Sequence, residues 1–192
     1  MGKRTKYLLA ALLVVFLVSN IMSTTKARTS TKVCALAEIK TPPVASALVI
    51  DVPGVEVREV YRVDEVELRD DHWVTGVVVD GQARAYLETG MDQPETHIAY
   101  DNIKGVSLAV AFCNYTGDGR VFCGDSNSLR SIRVGGWAEE NMQLIVGDQR
   151  FAVDSQEIPL SELPFQSMKW SEWKGLYPNT DIYLGSILPK QH

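Results

Sequence analysis

The clearest pattern of apolar and polar positions surrounds the pair Asp80–Gly81. Apolar and polar side chains alternate on its second flank, in the order Ala83, Arg84, Ala85, Tyr86 and Leu87. An Asp-Gly pair between two β-prone segments is typical of a two-residue hairpin turn, because both central positions need positive φ. Residues 74–87 (VTGVVVDGQARAYL) are therefore predicted to form a β-hairpin.

Other segments predict further strands. Residues 142–153 (MQLIVGDQRFAV) repeat the hairpin pattern around Gly147–Asp148. Residues 106–113 (VSLAVAFC) are nearly all apolar, which is typical of a central strand buried on both faces. The alternating segment 56–68 favours an edge or amphipathic strand, and residues 129–134 favour another strand.

A short helix is predicted over residues 171–177, with Ser171 as its N-cap. Trp170 and Trp173 share one face of this helix, so we expect their rings to pack on a sheet. Many short strands with one or two short helices predict a mainly β domain of the β-rich α+β class. This domain is expected to be an antiparallel barrel or a sandwich, preceded by an N-terminal apolar helix.

The first part of the chain has a different hydropathy from the rest. A basic start, MGKRTK, precedes the uncharged run 7–22 (YLLAALLVVFLVSNIM). This order is typical of an export signal, although the run is shorter than a relaxed membrane span of about 20 residues. We expect residues 1–22 to be a signal peptide or a signal anchor, residues 23–45 a spacer and residues 46–192 a β-rich globular domain. The domain would face outward from the cytoplasmic membrane, or be periplasmic or extracellular if the leader is cleaved.

Charge is distributed unevenly along the chain. Residues 1–33 contain six basic residues and no acidic one, so residues 34–192 hold 13 basic and 24 acidic residues, a net charge of −11. An acidic body repels phosphate, which argues against nucleic-acid binding. The partner that the sequence does predict is a membrane, contacted through residues 7–22.

Four segments taken together resemble a family of exported bacterial proteins, the domain of unknown function 3179. These segments are 75–86 (TGVVVDGQARAY), His97 with Asp101, 105–122 (GVSLAVAFCNYTGDGRVF) and 168–183 (MKWSEWKGLYPNTDIY). The resemblance covers roughly residues 72–184 and depends on the order and spacing of the four segments. It implies an exported domain, and it implies no assigned biochemical activity.

The chain departs from this family pattern at the end of the apolar strand. Many members resemble Cys-Pro-x-Cys-Gly-Thr at this point. Here Cys113 is kept, but Asn114 stands in place of the proline and Thr116 in place of the second cysteine. A Cys-x-x-Cys redox or metal pair is therefore absent from the sequence.

Two cysteines flank a polar turn, and two interpretations of them stay open. If the turn is centred on Asp118, Cys113 and Cys123 face each other across an antiparallel pair. They would then be close enough for a disulfide, which an exported protein would keep. A register shift of one residue would put the side chains on opposite faces of the sheet. The alternative is two unpaired thiols, with Cys113 packed as a small apolar side chain.

Cys113 is also a candidate nucleophile. A thiolate needs a base within hydrogen-bond reach and a third group that orients the base, roles that this hypothesis gives to His97 and Asp101. The loop that follows contains Thr116, Gly117, Asp118 and Gly119. Its backbone N–H groups would bind a developing oxyanion. The competing interpretation is structural: His97 and Asp101 stabilise a turn.

Metal and cofactor sites are not predicted. His97, Cys113 and Cys123 are the concentrated donors, and their spacing matches no zinc module. The sequence favours a non-catalytic binding or interaction module. The alternative is a thiol-dependent enzyme that performs acyl transfer or a redox reaction with Cys113.

Overall fold

The computed structural model describes residues 48–187 of the chain. The expected leader at 1–22 and the expected spacer at 23–45 lie outside the described residues. Among residues 48–187, we find no helix that is both long and apolar enough to cross a lipid bilayer.

Short strands dominate the described part of the chain. In chain order they are β1 (Leu48–Pro53), β2 (Val55–Glu56), β3 (Tyr61–Arg62), β4 (Trp73–Val79), β5 (Gln82–Leu87), β6 (Ile98–Ile103), β7 (Val106–Phe112), β8 (Gly119–Cys123), β9 (Arg133–Ala138), β10 (Asn141–Val146), β11 (Gln149–Ala152), β12 (Ser161–Glu162), β13 (Phe165–Lys169) and β14 (Asp181–Tyr183). The described helices are α1 (Ser126–Arg130), α2 (Trp170–Leu176) and two 3₁₀ turns (Val63–Glu65 and Glu88–Met91). The predicted β-rich fold with short helices is confirmed.

The strands form three sheets. Sheet A has the order β1-β9-β10-β11, sheet B the order β12-β8-β7-β6-β2, and sheet C the order β13-β4-β5-β14-β3. Most neighbours are antiparallel, as predicted, but β2 runs parallel to β6 and β14 runs parallel to β5. The barrel alternative is wrong, because each sheet stays open and buries its apolar face against another layer.

Sheet B is the middle layer of the molecule. The apolar layer between sheets A and B includes Ile98, Ala111, Cys113, Phe122, Leu144 and Phe151. The layer between sheets B and C includes Val77, Tyr86, Ala99, Val110, Val121 and Tyr183. Strand β7 is the central strand of sheet B and has apolar side chains in both layers, so the predicted burial on two faces is confirmed.

Both predicted hairpins are confirmed. Strands β4 and β5 close with Val79 opposite Gln82, and the turn residues Asp80 and Gly81 have φ values of 46° and 78°. Strands β10 and β11 also close with a two-residue turn, Val146 lying opposite Gln149, but here only the first turn residue, Gly147, has positive φ, at 61°. The glycine in each turn accepts its positive φ at low cost.

Two predicted strands differ in the structure. Residues 56–68 do not form one strand, because a 3₁₀ turn follows the two-residue strand β3. Residues 129–134 divide between α1 and β9. Asp125 caps α1 by accepting a hydrogen bond from the Ser128 amide at 2.9 Å, which favours helix where the apolar pattern indicated strand.

Helix α2 packs on the outer face of sheet C. It begins at Trp170, so Ser171 is not the N-cap that the sequence indicated. Trp170 and Trp173 are 2% and 0% exposed, which confirms that their face packs against the sheet. Gly76 of β4 allows this approach, since a Cβ there would lie 2.3 Å from the Trp173 ring.

Candidate functional site

Of the two interpretations of the cysteines, the disulfide between Cys113 and Cys123 is wrong. Cys113 is a free cysteine, and the register of β7 with β8 pairs Cys123 with Leu108. The Cys113 amide donates instead to the Asp118 carbonyl at 2.9 Å. Cys113 packs in the layer between sheets A and B and Cys123 in the layer between B and C, so the two side chains lie on opposite faces of sheet B.

The predicted base, His97, is buried and held by backbone. Its Nδ1 lies 2.7 Å from the Met91 carbonyl oxygen, so Nδ1 carries the proton and donates it in this hydrogen bond. Burial is the largest influence on His97 and lowers its pKa. His97 and Cys113 line the same small, mostly apolar cavity of about 130 Å³, so the structure does bring these two predicted residues to one cavity.

The predicted third member, Asp101, does not orient His97. The two residues are four positions apart along one extended segment, which separates their Cα atoms by about 13 Å. The Asp101 carboxylate accepts hydrogen bonds from Arg84 Nη1 at 2.8 Å and from the Tyr86 hydroxyl at 2.6 Å. The three predicted catalytic residues therefore do not form a triad, because Asp101 faces sheet C and is already engaged there.

The loop predicted to bind an oxyanion uses its amides internally. The Gly117 amide donates to the Cys113 carbonyl at 2.8 Å, and the Asp118 amide donates to Thr116 Oγ1 at 3.3 Å. Gly119 already belongs to β8 and pairs with Phe112. These hydrogen bonds build a compact turn and leave the Gly117 and Asp118 donors unavailable to a ligand.

Strand β5 and the residue that follows it present a row of polar side chains toward sheet B, which we call the polar row: Arg84, Tyr86 and Glu88. Arg84 pairs with Asp101 and, at 3.3 Å, with Asp181. Burial is the largest single influence on the pKa of Arg84 and acts to lower it. Asp101, together with Tyr86 and Asp181, acts in the other direction, and the pKa of Arg84 is raised as a result. Burial, followed by the charge of Asp101, raises the pKa of Tyr86 well above its ordinary value.

Glu88, the last member of the polar row, is a buried carboxyl whose hydrogen-bond partners are neutral hydroxyls. It opens the 3₁₀ turn after β5 and is 9% exposed. Its Oε1 accepts hydrogen bonds from Ser167 Oγ at 2.7 Å and from Thr75 Oγ1 at 3.2 Å. Within residues 48–187, both hydrogen bonds of this carboxyl go to Oε1 and none to Oε2. Burial raises the pKa of Glu88, and the two hydroxyl donors only partly oppose it.

A cleft of about 420 Å³ opens beside Glu88, where the layer between sheets B and C ends. We call it the Glu88 cleft; its walls include His72, Trp73, Glu88, Asp92, Phe112 and Asn114. Trp73 is 50% exposed, unlike the buried Trp170 and Trp173. The Nδ1 atom of His72 is buried and has no hydrogen-bond partner among the described residues. The cleft thus combines an open aromatic face with polar groups that are not satisfied by the fold.

Two close backbone contacts fix the 3₁₀ turn that carries Glu88. Gly90 and Gly185 approach so closely that a Cβ on Gly185 would lie 2.0 Å from the Gly90 carbonyl oxygen. The Ser186 amide donates to the same oxygen at 2.8 Å. Asn114 Nδ2 donates to the carbonyl of Asp92, the residue directly after this turn, at 3.2 Å. Glu88 therefore belongs to a well-anchored turn.

Comparisons with known proteins do not assign a role to this site. No protein-family model, curated protein or solved structure matches the chain. The resemblance to the domain of unknown function 3179 stays a prediction. Among the described residues, no group of three or more His, Cys, Asp or Glu side chains is arranged to hold a metal ion.

Glu88 and Trp73 were not among the site residues predicted from the sequence. The alternation of β5 contained a signal for Glu88, because polar side chains at 84, 86 and 88 share one face of an extended strand. That face is buried against sheet B, so a third polar residue on it needed an explanation. Trp73 gave no comparable signal, since its exposure depends on how sheets B and C end.

Proposed function

We propose that this protein is an exported binding module that holds a small molecule in the Glu88 cleft without transforming it. The observation that carries the proposal is the cleft itself, in which the half-exposed Trp73 ring faces solvent beside the nine-tenths buried Glu88 carboxyl. Concave sites with an apolar wall and a few convergent polar groups are the usual form of small-molecule sites. The basic and apolar start of the chain supports export.

The geometry around the predicted nucleophile supports binding over thiol catalysis. Cys113 is 1% exposed, and the cavity that it shares with His97 has a volume of only about 130 Å³. A substrate would have to enter a mostly apolar layer between two sheets to reach the sulfur. Asp101, which would orient the base, is bound to Arg84 and Tyr86.

The Glu88 cleft is larger and has more polar walls than the Cys113 cavity. Its volume is about three times that of the Cys113 cavity, and it opens to solvent along Trp73. The indole provides a flat apolar wall, while Asn114 and the Glu88 carboxyl offer polar contacts that orient a ligand. No cysteine lines this cleft within residues 48–187, so the thiol chemistry considered for Cys113 has no nucleophile here.

A ligand-observed NMR screen tests the proposal. The full-length chain in mild detergent is screened against a library of neutral, anionic and cationic fragments, and every fragment that binds is recovered and weighed by mass spectrometry. We expect binders that are recovered unchanged and that lose affinity in Trp73→Ala. The matched control is Val78→Ala, which removes another exposed apolar side chain away from the cleft.

Two outcomes would contradict the proposal. One is a set of binders whose affinity is the same in Trp73→Ala as in the unmodified protein. The other is a fragment recovered in a chemically altered form, with the alteration abolished by Cys113→Ala. The second result would favour the thiol-dependent enzyme.

A further inference from the structure

We infer that the ligand of the Glu88 cleft is a small organic cation of the ammonium type. This inference rests on the proposed binding function and adds the chemical class of the ligand. Three independent features of the cleft support it: the balance of charge on its walls, the exposed indole, and the free oxygen of Glu88.

The walls of the Glu88 cleft carry excess negative charge. Arg69 is the cation among the described lining residues, and Asp71 neutralises it through hydrogen bonds of 3.0 Å from Nε and 2.5 Å from Nη2. Asp92 forms no ion pair within residues 48–187; its Oδ1 accepts a hydrogen bond from the side-chain Nε2 of the neighbouring Gln93 at 3.2 Å. An anionic ligand would meet this charge and the negative charge of the whole domain, and a cationic ligand is attracted by both.

The aromatic wall fits the same ligand. An indole is the best of the aromatic side chains for attracting a cation to its face, and Trp73 leaves half of its surface open. Phe112, a second ring, lines the inner part of the cleft. Quaternary and alkylated ammonium groups are recognised in proteins by this combination of aromatic faces and a nearby carboxylate, because such cations lose their weak hydration at little cost.

The Glu88 carboxyl supplies the specific contact. Thr75 and Ser167 both donate to Oε1 and so fix the orientation of the group, while Oε2 accepts no hydrogen bond from the described residues. The carboxyl is nine-tenths buried, and its ionised form is disfavoured by that burial. A cation beside Oε2 would compensate the buried charge that the fold leaves without a counterion.

Binding of a cation is then coupled to the protonation of Glu88. The hydroxyls of Thr75 and Ser167 face the carboxyl, and the other charged or titratable walls of the cleft are Arg69, Asp71, His72 and Asp92. Because burial raises the pKa of Glu88, the protonated form persists to a higher pH than in a free carboxyl. The affinity for a cation should therefore rise as the pH is raised through the pKa of Glu88, and this rise should be lost in Glu88→Gln.

Isothermal titration calorimetry with two matched probes tests the inference. Choline is the cation, and 3,3-dimethylbutan-1-ol is its neutral analogue of nearly the same shape. We expect the full-length chain to bind choline at least about tenfold more tightly than the neutral alcohol. Glu88→Gln and Trp73→Leu should each weaken choline binding by about tenfold, Trp73→Phe should weaken it less, and Val78→Ala should leave it unchanged.

The outcomes separate this inference from the proposed function. If the neutral alcohol binds as tightly as choline, or if neutral or anionic fragments bind in the cleft and choline does not, the cation inference is overturned while the binding function stands. If no fragment of any charge binds in a way that depends on Trp73, both are overturned. The comparison of the two probes needs only the unmodified protein, so it remains decisive even if Glu88→Gln were to unfold.

Discussion

The two faces of sheet B are packed in different ways. The layer toward sheet A is mainly apolar, and its small cavity holds the free thiol of Cys113. This layer also contains a buried guanidinium, that of Arg120, which pairs with Glu162 and donates to the Val153 carbonyl. The layer toward sheet C contains the same kind of apolar side chains, but the polar row crosses it, from the Arg84–Asp101 ion pair to the Glu88 carboxyl. Both faces of sheet B thus bury an arginine that is paired with a carboxylate. Among the described residues, the face toward sheet C differs because it also carries a buried carboxyl without a counterion, Glu88, to an open cleft.

The two layers differ in the free-energy cost of the charged groups that they bury. Buried charges are expensive unless they are paired, and Arg84 and Asp101 satisfy that condition with two hydrogen bonds at 2.8 Å. Glu88 does not, because its contacts within residues 48–187 are neutral hydroxyls. A carboxyl buried without a counterion at the wall of a cleft is more typical of a functional site than of a structural network.

The largest expected effect is on the charged layer. Asp101→Ala leaves the Arg84 guanidinium buried without its main partner, which should lower the free energy of unfolding by about 3–5 kcal/mol. Urea unfolding followed by circular dichroism measures this change. Replacing both partners, as in Arg84→Met with Asp101→Leu, should recover most of the loss.

A matched control exists on the surface. Asp64 forms an exposed ion pair with Arg62, and Asp64→Ala should leave the unfolding free energy unchanged within error. An effect of Asp101→Ala no larger than that of the control would show that the charged layer is not a buried network.

The next effect is expected in the apolar layer. Leu144 is fully buried between sheets A and B and lies opposite Phe151 and Val134 on the neighbouring strands. Leu144→Ala should destabilise the protein by about 3 kcal/mol, since it removes buried apolar surface and leaves a cavity. Because no charge is involved, the loss should be the same at low and high salt, whereas that of Asp101→Ala should vary with salt. Equal salt dependence of the two variants would remove the contrast between the layers.

Cys113 allows a smaller test of the same apolar layer. Cys113→Ala should cost about 1 kcal/mol through lost packing, and Cys113→Ser should cost more because a hydroxyl would be buried there, by about 1–3 kcal/mol. The thiol should react with iodoacetamide only after unfolding, as intact mass and peptide mapping would reveal. Fast labelling of the folded protein would instead indicate an accessible, reactive sulfur.

The smallest expected effect is a pH dependence at Glu88. Its pKa in the folded protein is raised above its ordinary value of 4.5, so its favourable contribution to stability is complete below that value and is lost as the pH rises through the folded pKa. In Glu88→Gln this loss is absent, while the hydroxyls of Thr75 and Ser167 keep an oxygen acceptor. Urea unfolding of both proteins between about pH 4 and pH 8 should show the wild type losing stability relative to the variant. Parallel profiles would contradict the raised pKa.

Local chemistry made part of the fold predictable. The turn at Asp80–Gly81 is determined by the φ values that its residues accept, and β7 is recognisable because a strand buried on both faces needs apolar side chains at every position. The register of β7 with β8 was less predictable. It depends on the hydrogen bonds inside the turn after Cys113, which move Cys123 opposite Leu108.

The candidate site was harder to predict than the fold, because it depends on how separate layers meet. The motif residues His97 and Asp101 lie close in sequence, yet they bind different partners. His97 contacts the Met91 carbonyl, and Asp101 accepts a hydrogen bond from Tyr86. The β4–β5 hairpin brings Trp73 and Glu88 together at its open end, next to the pair Val74–Leu87. Phe112 and Asn114 reach the same cleft only through the stacking of sheet C on sheet B. No pattern within a single segment contains that information.

Through the contact between Gly90 and Gly185, the last described residues stabilise a turn that is distant from them in sequence. This contact ties the segment after β14 directly to the turn that presents Glu88. A chain shortened after Tyr183 would keep every strand of sheet C. It would lose the Gly185 and Ser186 contacts to Gly90, which hold the turn that positions the Glu88 carboxyl. A deletion that removes Gly185 and Ser186 is therefore expected to disturb the cleft, although both residues lie about 100 positions from Glu88 in sequence.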